Sequence, residues 1–507
     1  MSAPSVDTVE PDRPHLSSGT AALLSAKGLG LGLNLVTVFF LPRFLGPAAW
    51  GVYVIWLSLW GLSTQILESG VGVVMNRFLP ILRAERPERV LKFQHGLLTL
   101  KLLALPGVWL VGWIILGRSD APLVFHDVRA FTLVILSAFL YSWASLDVGL
   151  LFNYQRMLAC GSFTPLNLLL RLVTIPLFFY FMGRAGIPPA LFVASLLLTL
   201  LYLLWSLPLT RQLSKHGTRG VYFPIRELFQ FGLWIGVGQF GLLAVARLPG
   251  LAGELMQFNK EEIGYMGLAL FCYATLRVLP ASILFSLLPH LVTLAHKKEH
   301  ADFDRYAAEG WRYTNLCLFW MLLGLMSLAP AWFPLMLGKR YADGMPQILL
   351  LLRWTAPAMI LGAWLDYFQQ SVFAQGKRRA FIFGALLVLG VFPLIVFLTP
   401  EALGIRRLVI ALGGSLAAGT LLMGACSGFH RGLVRFSLLP MLLFLLLTLP
   451  TRWIPPNAGL ALLVFGAIQT PLYFILLQKL GVITSADRRR LGEVFERVGR
   501  TPPSSAE

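Results

Sequence analysis

Charged side chains interrupt the long apolar stretches of this 507-residue chain, and they are its main candidates for chemistry. A charge in an apolar environment is costly, so such residues usually face a partner or a wet cavity. Six are cations and three are anions, namely Lys27, Lys101, Arg171, Arg247, Arg277 and Arg353 against Glu68, Asp147 and Asp366. The excess of cations predicts an anionic ligand. Arginine suits phosphate, because its planar guanidinium binds two oxygens at once.

The six cations differ in how easily they reach the ends of their apolar stretches. Lys101 and Arg247 lie near such ends and could extend to the interface, and Arg247 is also a candidate for a cationic substrate cavity. Arg171, Arg277 and Arg353 lie too deep for that, so they either pair with a carboxylate or face a cavity. For Arg171 and Arg277 we favour the cavity.

The three acids are candidates for coupling to protons or sodium. Glu68, Asp147 and Asp366 each lie in a different apolar stretch, and the sequence favours none of them.

The composition places these residues in a membrane protein. Hydrophobic residues make up 57% of the chain and charged residues 13%, against about 25% charged in an ordinary soluble protein. A soluble globule of this length could not bury so much apolar surface. We therefore predict an all-α polytopic membrane protein, and exclude a disordered chain, a disulfide scaffold and an ordinary cytosolic enzyme.

The apolar runs predict fourteen transmembrane spans. The spans cover residues 21–41, 50–75, 97–116, 130–152, 162–182, 189–209, 229–250, 264–291, 315–335, 346–373, 380–398, 408–427, 436–450 and 459–477. The first run follows a polar segment without a cleavage signal, so we expect it to remain in the membrane.

The distribution of Lys and Arg predicts the orientation. With the N-terminus placed in the cytoplasm, 26 of the 42 basic residues fall in cytoplasmic segments and nine in outer segments, while the remaining seven lie in the spans or at their edges. This bias predicts an even number of spans with both termini in the cytoplasm. It also accounts for the net charge of +18 without nucleic-acid binding, which would need that charge on one soluble face.

Weak internal similarity predicts two repeated units. Leu79-Pro80 after span 2 resembles Leu288-Pro289 after span 8, and a Gly-x-Tyr at 51–53 resembles Gly264-Tyr265. Parallel repeats around a central site are common in transporters, although basic loops could also look alike by chance. The predicted organisation is a tail at 1–20, lobes at 21–228 and 229–430, two extra spans at 431–480 and a basic tail at 481–507.

Other chemistries are disfavoured by the sequence. The pattern at 296–300 matches a two-histidine zinc motif, but it lies in a basic loop without an evident third ligand. The chain has no phosphate-binding loop of the GxxxxGK type, and its predicted outer segments are too short for the large loop of a sugar polymerase. We expect no metal, no cofactor and no enzymatic activity.

Short motifs resemble those of a known family. The stretch from Arg43 through Gly46-Pro47 to Gly51 and Tyr53 resembles the R-x-LGP-x-x-x-G-x-Y signature of Wzx-like polysaccharide-transport flippases. This family belongs to a superfamily with the lipid II flippases and the MATE drug exporters. Further similarities include Gln375-Gly376-Lys377 and Leu337-Gly338 before Tyr341. The chain departs from the family at Ala246-Arg247, where Asp-Arg is frequent, which weakens any ion-coupling role for span 7.

The resemblance implies two six-helix lobes around a central, mostly cationic cavity. It implies transport of an undecaprenyl-diphosphate-linked glycan across the bacterial inner membrane by alternating access, with polymerase and chain-length proteins as candidate partners. The cavity-lining spans of the family correspond here to Lys27, Asn34, Gln65, Glu68, Arg247 and Arg277. The alternatives are a small-molecule antiporter of the same superfamily and a membrane-embedded enzyme of polysaccharide synthesis.

Overall fold

A computed structural model describes residues 16–116, 124–154, 156–215, 232–428, 431–452 and 459–483. Within these ranges the regular structure is helical throughout and contains no strand. The α-helices are α1 (Leu16–Leu45), α2 (Pro47–Glu68), α3 (Val71–Glu85), α4 (Val90–Leu116), α5 (Val128–Asn153), α6 (Met157–Gly161), α7 (Phe163–Met182), α8 (Ile187–Ser214), α9 (Leu233–Ala244), α10 (Leu248–Leu255), α11 (Lys260–Lys297), α12 (His300–Leu337), α13 (Met345–Ala374), α14 (Arg378–Leu398), α15 (Arg406–Ser427), α16 (Arg431–Thr448) and α17 (Gly459–Lys479).

The helices confirm the predicted all-α polytopic fold. Each predicted span coincides with one helix or with two consecutive helices. By length and hydropathy, ten helical segments of the described residues qualify as spans, and α9 with α10 makes an eleventh. One of the ten segments contains both α7 and α8. The chain is thus a multi-pass membrane protein, while the cytoplasmic position of both termini stays a prediction.

The tails lie largely outside the described residues. In the predicted N-terminal tail, residues 1–15 are not among them, and in the predicted C-terminal tail residues 484–507 are not.

Two predicted spans are each broken into two helices. Span 2 is divided at Gly70, whose φ of 76° is one that glycine adopts readily. Span 7 is divided between α9 and α10, whose axes differ by 61°. The reason in span 7 is Pro249, which lies in the first turn of α10 and cannot continue the hydrogen-bond ladder of α9. Both breaks interrupt the regular helical hydrogen bonding of a predicted span.

The described chain forms two compact units, and each is treated separately below. The first unit comprises residues 1–275, 336–365 and 376–423, and the second comprises 276–335, 366–375 and 424–507. The predicted lobes at 21–228 and 229–430 remain a prediction.

Helix α2 forms the centre of the first unit. Its apolar window is 83% buried within the protein, and it packs against α1, α4, α5, α9 and α10. Trp50, Tyr53 and Trp56 are almost fully buried. Because α2 contacts protein on nearly all sides, its polar positions face other helices rather than lipid.

Glycines allow α2 and α11 to meet at backbone distance near their N-termini. A Cβ atom on Gly51 would lie 1.8 Å from the Lys260 carbonyl oxygen, and one on Gly264 would lie 2.3 Å from the Pro47 carbonyl oxygen. Only glycine fits such approaches. The two Gly-x-Tyr-like elements of the sequence are therefore in direct contact, at the end of the spans predicted to face outward.

A reciprocal contact lies next to these glycines, and we name it the outer clasp. It joins Arg43, in the last turn of α1, and Gly46, between α1 and α2, to Gly338, Arg340 and Tyr341, between α12 and α13. The Cδ of Arg340 lies against Gly46, and its guanidinium donates to the Phe44 carbonyl at 3.2 Å, while the Arg43 guanidinium lies against Gly338.

The phenol of Tyr341 completes the outer clasp. It is fully buried and donates to the Pro42 carbonyl at 3.1 Å. Burial raises the pKa of Tyr341 well above its ordinary value, so the phenol remains protonated and able to donate. The clasp thus explains why the R-x-LGP motif contains an arginine and a glycine.

We expect Gly51→Ala to destabilise the protein, because its methyl group would overlap the Lys260 carbonyl. Overpacking of this kind costs about 1–3 kcal/mol. Thermal unfolding of the detergent-solubilised protein would measure the loss. Gly390→Ala in α14 is the matched control, since a Cβ there meets no atom within 4 Å. Equal unfolding temperatures for the two variants would contradict the close contact.

Candidate functional site

Two arginines of the first unit share one interior region, and we name them the arginine pair. Arg171 lies in α7 and is 6% exposed, whereas Arg247 lies at the break between α9 and α10 and is half-buried. They are close enough to repel each other electrostatically. Among the described residues, no carboxylate forms an ion pair with either. Two like charges in this setting leave a site of net positive charge.

Aromatic side chains surround Arg171. Its guanidinium lies over the Trp60 ring, 4.0 Å from the centroid, in a cation–π contact. The Trp60 ring meets the Tyr141 ring edge-on, with centroids 4.8 Å apart. The Tyr53 hydroxyl also lies beside the guanidinium. The rings stabilise the charge partially without neutralising it, as a carboxylate would.

Several donors in this region have no hydrogen-bond partner among the described residues. They include Nε and Nη2 of Arg171 and the indole N–H of Trp60, all of them buried. An unpaired buried donor is costly, and most such groups are satisfied in folded proteins. These three unpaired donors, two of which belong to the arginine pair itself, suit a ligand with several anionic oxygens.

The break in span 7 positions Arg247. Arg247 immediately precedes α10, and its guanidinium lies against Gly61 of α2, where a Cβ atom would be 2.8 Å from Nε. The side chain thus points toward α2. Of the two positions left open for Arg247, the structure shows the interior one, with the side chain against α2 rather than at the outer interface.

Lys101 occupies a second polar cluster of the first unit and does not extend to the interface, which the sequence had left possible. It is 1% exposed and donates to Glu68 Oε1 at 2.9 Å, to the Ser142 carbonyl at 2.8 Å and to the Ser142 hydroxyl. The Ser142 hydroxyl donates to the same Glu68 oxygen at 2.8 Å. All three ammonium protons are therefore satisfied, and α2, α4 and α5 are joined.

Asp147 differs from Glu68 in its partner. It is 2% exposed and accepts a hydrogen bond from the Gln94 side-chain amide at 2.8 Å. Its other oxygen, Oδ2, has no partner among the described residues. A neutral amide does not balance the charge of a carboxylate, so this acid is the least compensated of the three candidates.

The second unit contains its own charged pair. Arg277 of α11 binds Asp366 of α13 through Nε and one terminal nitrogen, a bidentate arrangement. Each side chain is 19% exposed. Arg277 therefore pairs with an acid here, which is the alternative that the sequence left open.

The other candidates lie in varied surroundings. Asn34 donates to the Thr275 hydroxyl at 2.8 Å and so connects α1 to α11 within the first unit. Gln65 is half-buried on α2, one turn after Gly61, and Arg353 is exposed on α13. Lys27 belongs to α1, but its side chain lies outside the described residues.

The two-histidine motif does not form one helical face. Helix α11 ends at Lys297 and α12 begins at His300, with Lys298 between them at a φ of 59°. The described residues contain no group of three or more potential metal ligands.

This fold and this interior define the class of protein as a polytopic transporter-like membrane protein with a cationic centre. A profile of the family described as "Polysaccharide biosynthesis protein" matches residues 16–288, more than half of the chain. The chain therefore belongs to this family, and the predicted resemblance is confirmed. Comparison with curated protein sequences gives no significant match.

Solved structures with the same fold come from two kinds of transporter. The lipid II flippase MurJ, in an inward closed conformation, has a TM-score of 0.64 at 12% identity, covering 92% of this chain and 99% of that one. An inward-facing multidrug resistance MATE transporter of the MOP superfamily has a TM-score of 0.59 at 14% identity, covering 80% and 98%. The eukaryotic MATE transporter AtDTX14 has a TM-score of 0.57 at 14% identity, covering 83% and 98%.

These neighbours establish the fold. Family and fold together support a transporter or flippase.

We expect Lys101→Met to destabilise the first unit strongly, because it leaves the Glu68 carboxylate without its cation. Removing one partner of a buried ion pair costs about 3–5 kcal/mol. The double variant Lys101→Met with Glu68→Gln should recover most of this loss. Thermal unfolding in detergent measures both effects, and Lys215→Met, at an exposed position, is the control. A double variant no more stable than the single one would contradict the pairing.

Proposed function

We propose that the protein is a flippase that moves a polyprenyl-diphosphate-linked oligosaccharide from the cytoplasmic to the outer leaflet by alternating access. The observation that carries the proposal is the arginine pair, which has two positive charges, unpaired donors and no carboxylate partner among the described residues. A diphosphate supplies the complementary charge and oxygens. Undecaprenyl diphosphate is the carrier that the family resemblance implies.

The physical task explains why such a site is needed. Sugar hydroxyls cannot cross hydrocarbon without hydrogen-bond partners, since each unsatisfied group costs several kcal/mol. A polar interior removes that cost while the polyprenyl chain stays in the lipid. An inside-negative potential also favours outward movement of an anion, by about 2.3 kcal/mol per charge per 100 mV.

Further residues are assigned to the same substrate by this proposal. Lys27, Asn34, Gln65, Arg277 and Arg353 are proposed to contact the glycan or its diphosphate at some stage of the cycle. For Arg277 this requires that the bond to Asp366 opens, which makes it a candidate switch.

The proposed setting is the bacterial inner membrane, with both termini in the cytoplasm. The glycan would serve cell-surface polysaccharides such as O-antigen or exopolysaccharide. Polymerase and chain-length proteins are proposed partners, and the surrounding bilayer holds the lipid carrier. A positive interior is a poor environment for cationic drugs, which disfavours a drug antiporter.

Among the acids, Asp147 is the best proposed site of ion coupling. Glu68 and Asp366 each have a basic partner, so protonation of either would leave an unpaired cation. Asp147 accepts a hydrogen bond from the Gln94 amide and has the Ser206 hydroxyl beside it, so it can bind a proton or sodium without disrupting an ion pair.

We expect Arg171→Gln and Arg247→Gln to slow transbilayer movement by about tenfold to a hundredfold, the equivalent of one charge-assisted hydrogen bond. Proteoliposomes carrying a fluorescent polyprenyl-diphosphate oligosaccharide would measure it, through the fraction that becomes accessible to an impermeant external quencher.

Arg184→Gln is the matched control, since Arg184 is exposed in the turn after α7. The Arg184→Gln variant should move the lipid-linked oligosaccharide across the bilayer at the same rate as the native protein. Folded arginine-pair variants with unchanged rates would refute this substrate site.

We expect Asp147→Asn to remove the dependence of transport on an imposed proton or sodium gradient. The substitution retains an oxygen for the Gln94 amide but cannot bind a proton. Rates in proteoliposomes with and without each gradient measure this dependence. Asp302→Asn, at an exposed position, should keep it. A variant that still responds to the gradient would assign coupling to another group.

A further inference from the structure

A cationic groove lies beside the outer clasp, apart from the arginine pair. It has a volume of about 700 Å³ and is lined by Phe40, Arg43, Phe44, Phe179, Tyr180 and Arg340. Two of these residues are cations and none is an anion. Within the described part of the chain, neither arginine forms an ion pair, and both are exposed.

The walls of the groove are aromatic. Phe44 meets Phe179 edge-on with ring centroids 6.0 Å apart, and Phe40 stacks on Phe44 at 6.2 Å. Tyr180 is 78% exposed, as expected for a residue that faces lipid. Tyrosine is enriched where a membrane meets water, at the level of the headgroups, so Tyr180 suits that depth, and the three phenylalanines supply apolar surface.

The positions along the chain indicate the same level. Arg43 lies in the last turn of α1, and Arg340 lies in the short 3₁₀ helix between α12 and α13. Both are thus at the ends of membrane spans rather than in their middles. The phosphates of membrane lipids lie at this depth, just beyond the hydrocarbon core.

The geometry points to a binding site for the phosphate of an anionic phospholipid, held between Arg43 and Arg340, with its acyl chains along Phe40 and Tyr180. Guanidinium groups bind phosphate oxygens in pairs. The occupant is a lipid of the surrounding bilayer, since the exposed aromatic wall continues the groove into the membrane. This inference concerns a site separate from the proposed transport path and does not depend on the transported molecule.

The bound headgroup would join the two sides of the outer clasp. Arg340 already bonds to the Phe44 carbonyl, and Arg43 already lies against Gly338. A phosphate shared by the two guanidinium groups adds an ionic link between these segments. Anionic lipid should therefore stabilise the clasp and raise the unfolding temperature.

Native mass spectrometry of the purified full-length protein tests the site directly. With phosphatidylglycerol added, we expect bound lipid on the native protein and about tenfold weaker retention in Arg43→Gln and Arg340→Gln. Phosphatidylcholine should be retained less, and phosphatidylglycerol should raise the unfolding temperature of the native protein but not of Arg43→Gln or Arg340→Gln. Arg406→Gln, an exposed arginine predicted on the same side, is the matched control and should bind like the native protein.

Photolabelling covers the case in which the variants do not fold. A photoactivatable phosphatidylglycerol on the native protein should label residues 40–44 or 179–180. Equal lipid retention in all variants, or labelling confined to other segments, would overturn the inference. Displacement of the label by inorganic diphosphate or by a polyprenyl diphosphate, but not by phosphatidylglycerol, would overturn the assignment to a phospholipid.

Discussion

Positive charge without a matching negative charge is the constraint on which the interior of this protein depends. Arg171 and Arg247 approach each other inside a membrane protein and are surrounded by aromatic rings. A protein optimised only for stability would place a carboxylate there or remove one arginine. The elements around the pair serve this arrangement: the Trp60 face lowers the energy of one guanidinium, and the bend at Pro249 directs the other toward α2.

Two other interior cations follow the opposite rule. Lys101 is fully matched by Glu68 and Ser142, and Arg277 by Asp366. These pairs hold helices together across long sequence separations and leave little capacity for a ligand. The contrast between matched and unmatched cations distinguishes structural charges from candidate binding charges, which their spacing in the sequence does not.

The sequence predicts the helices well because hydropathy is a local property. Span boundaries agree with the observed helices to within several residues in most cases, as for 130–152 against Val128–Asn153. Prediction from the sequence fails for the partners of polar side chains, because those partners depend on tertiary contacts. The residues Glu68 and Lys101 are 33 positions apart, so their bond is invisible in either apolar stretch. The aromatic ring of Trp60 beside Arg171 is likewise unpredictable, since tryptophan occurs in many spans for packing alone.

The glycine contact between α2 and α11 has a consequence for motion. Gly51 and Gly264 bring main-chain atoms together without interlocking side chains. Surfaces of this kind can separate without rotamer changes, and the carbonyl groups of Pro47 and Lys260 would then be accessible to water. If α2 and α11 separate at this point, the same backbone contact can form again in the same register, because no side chain has to change its rotamer.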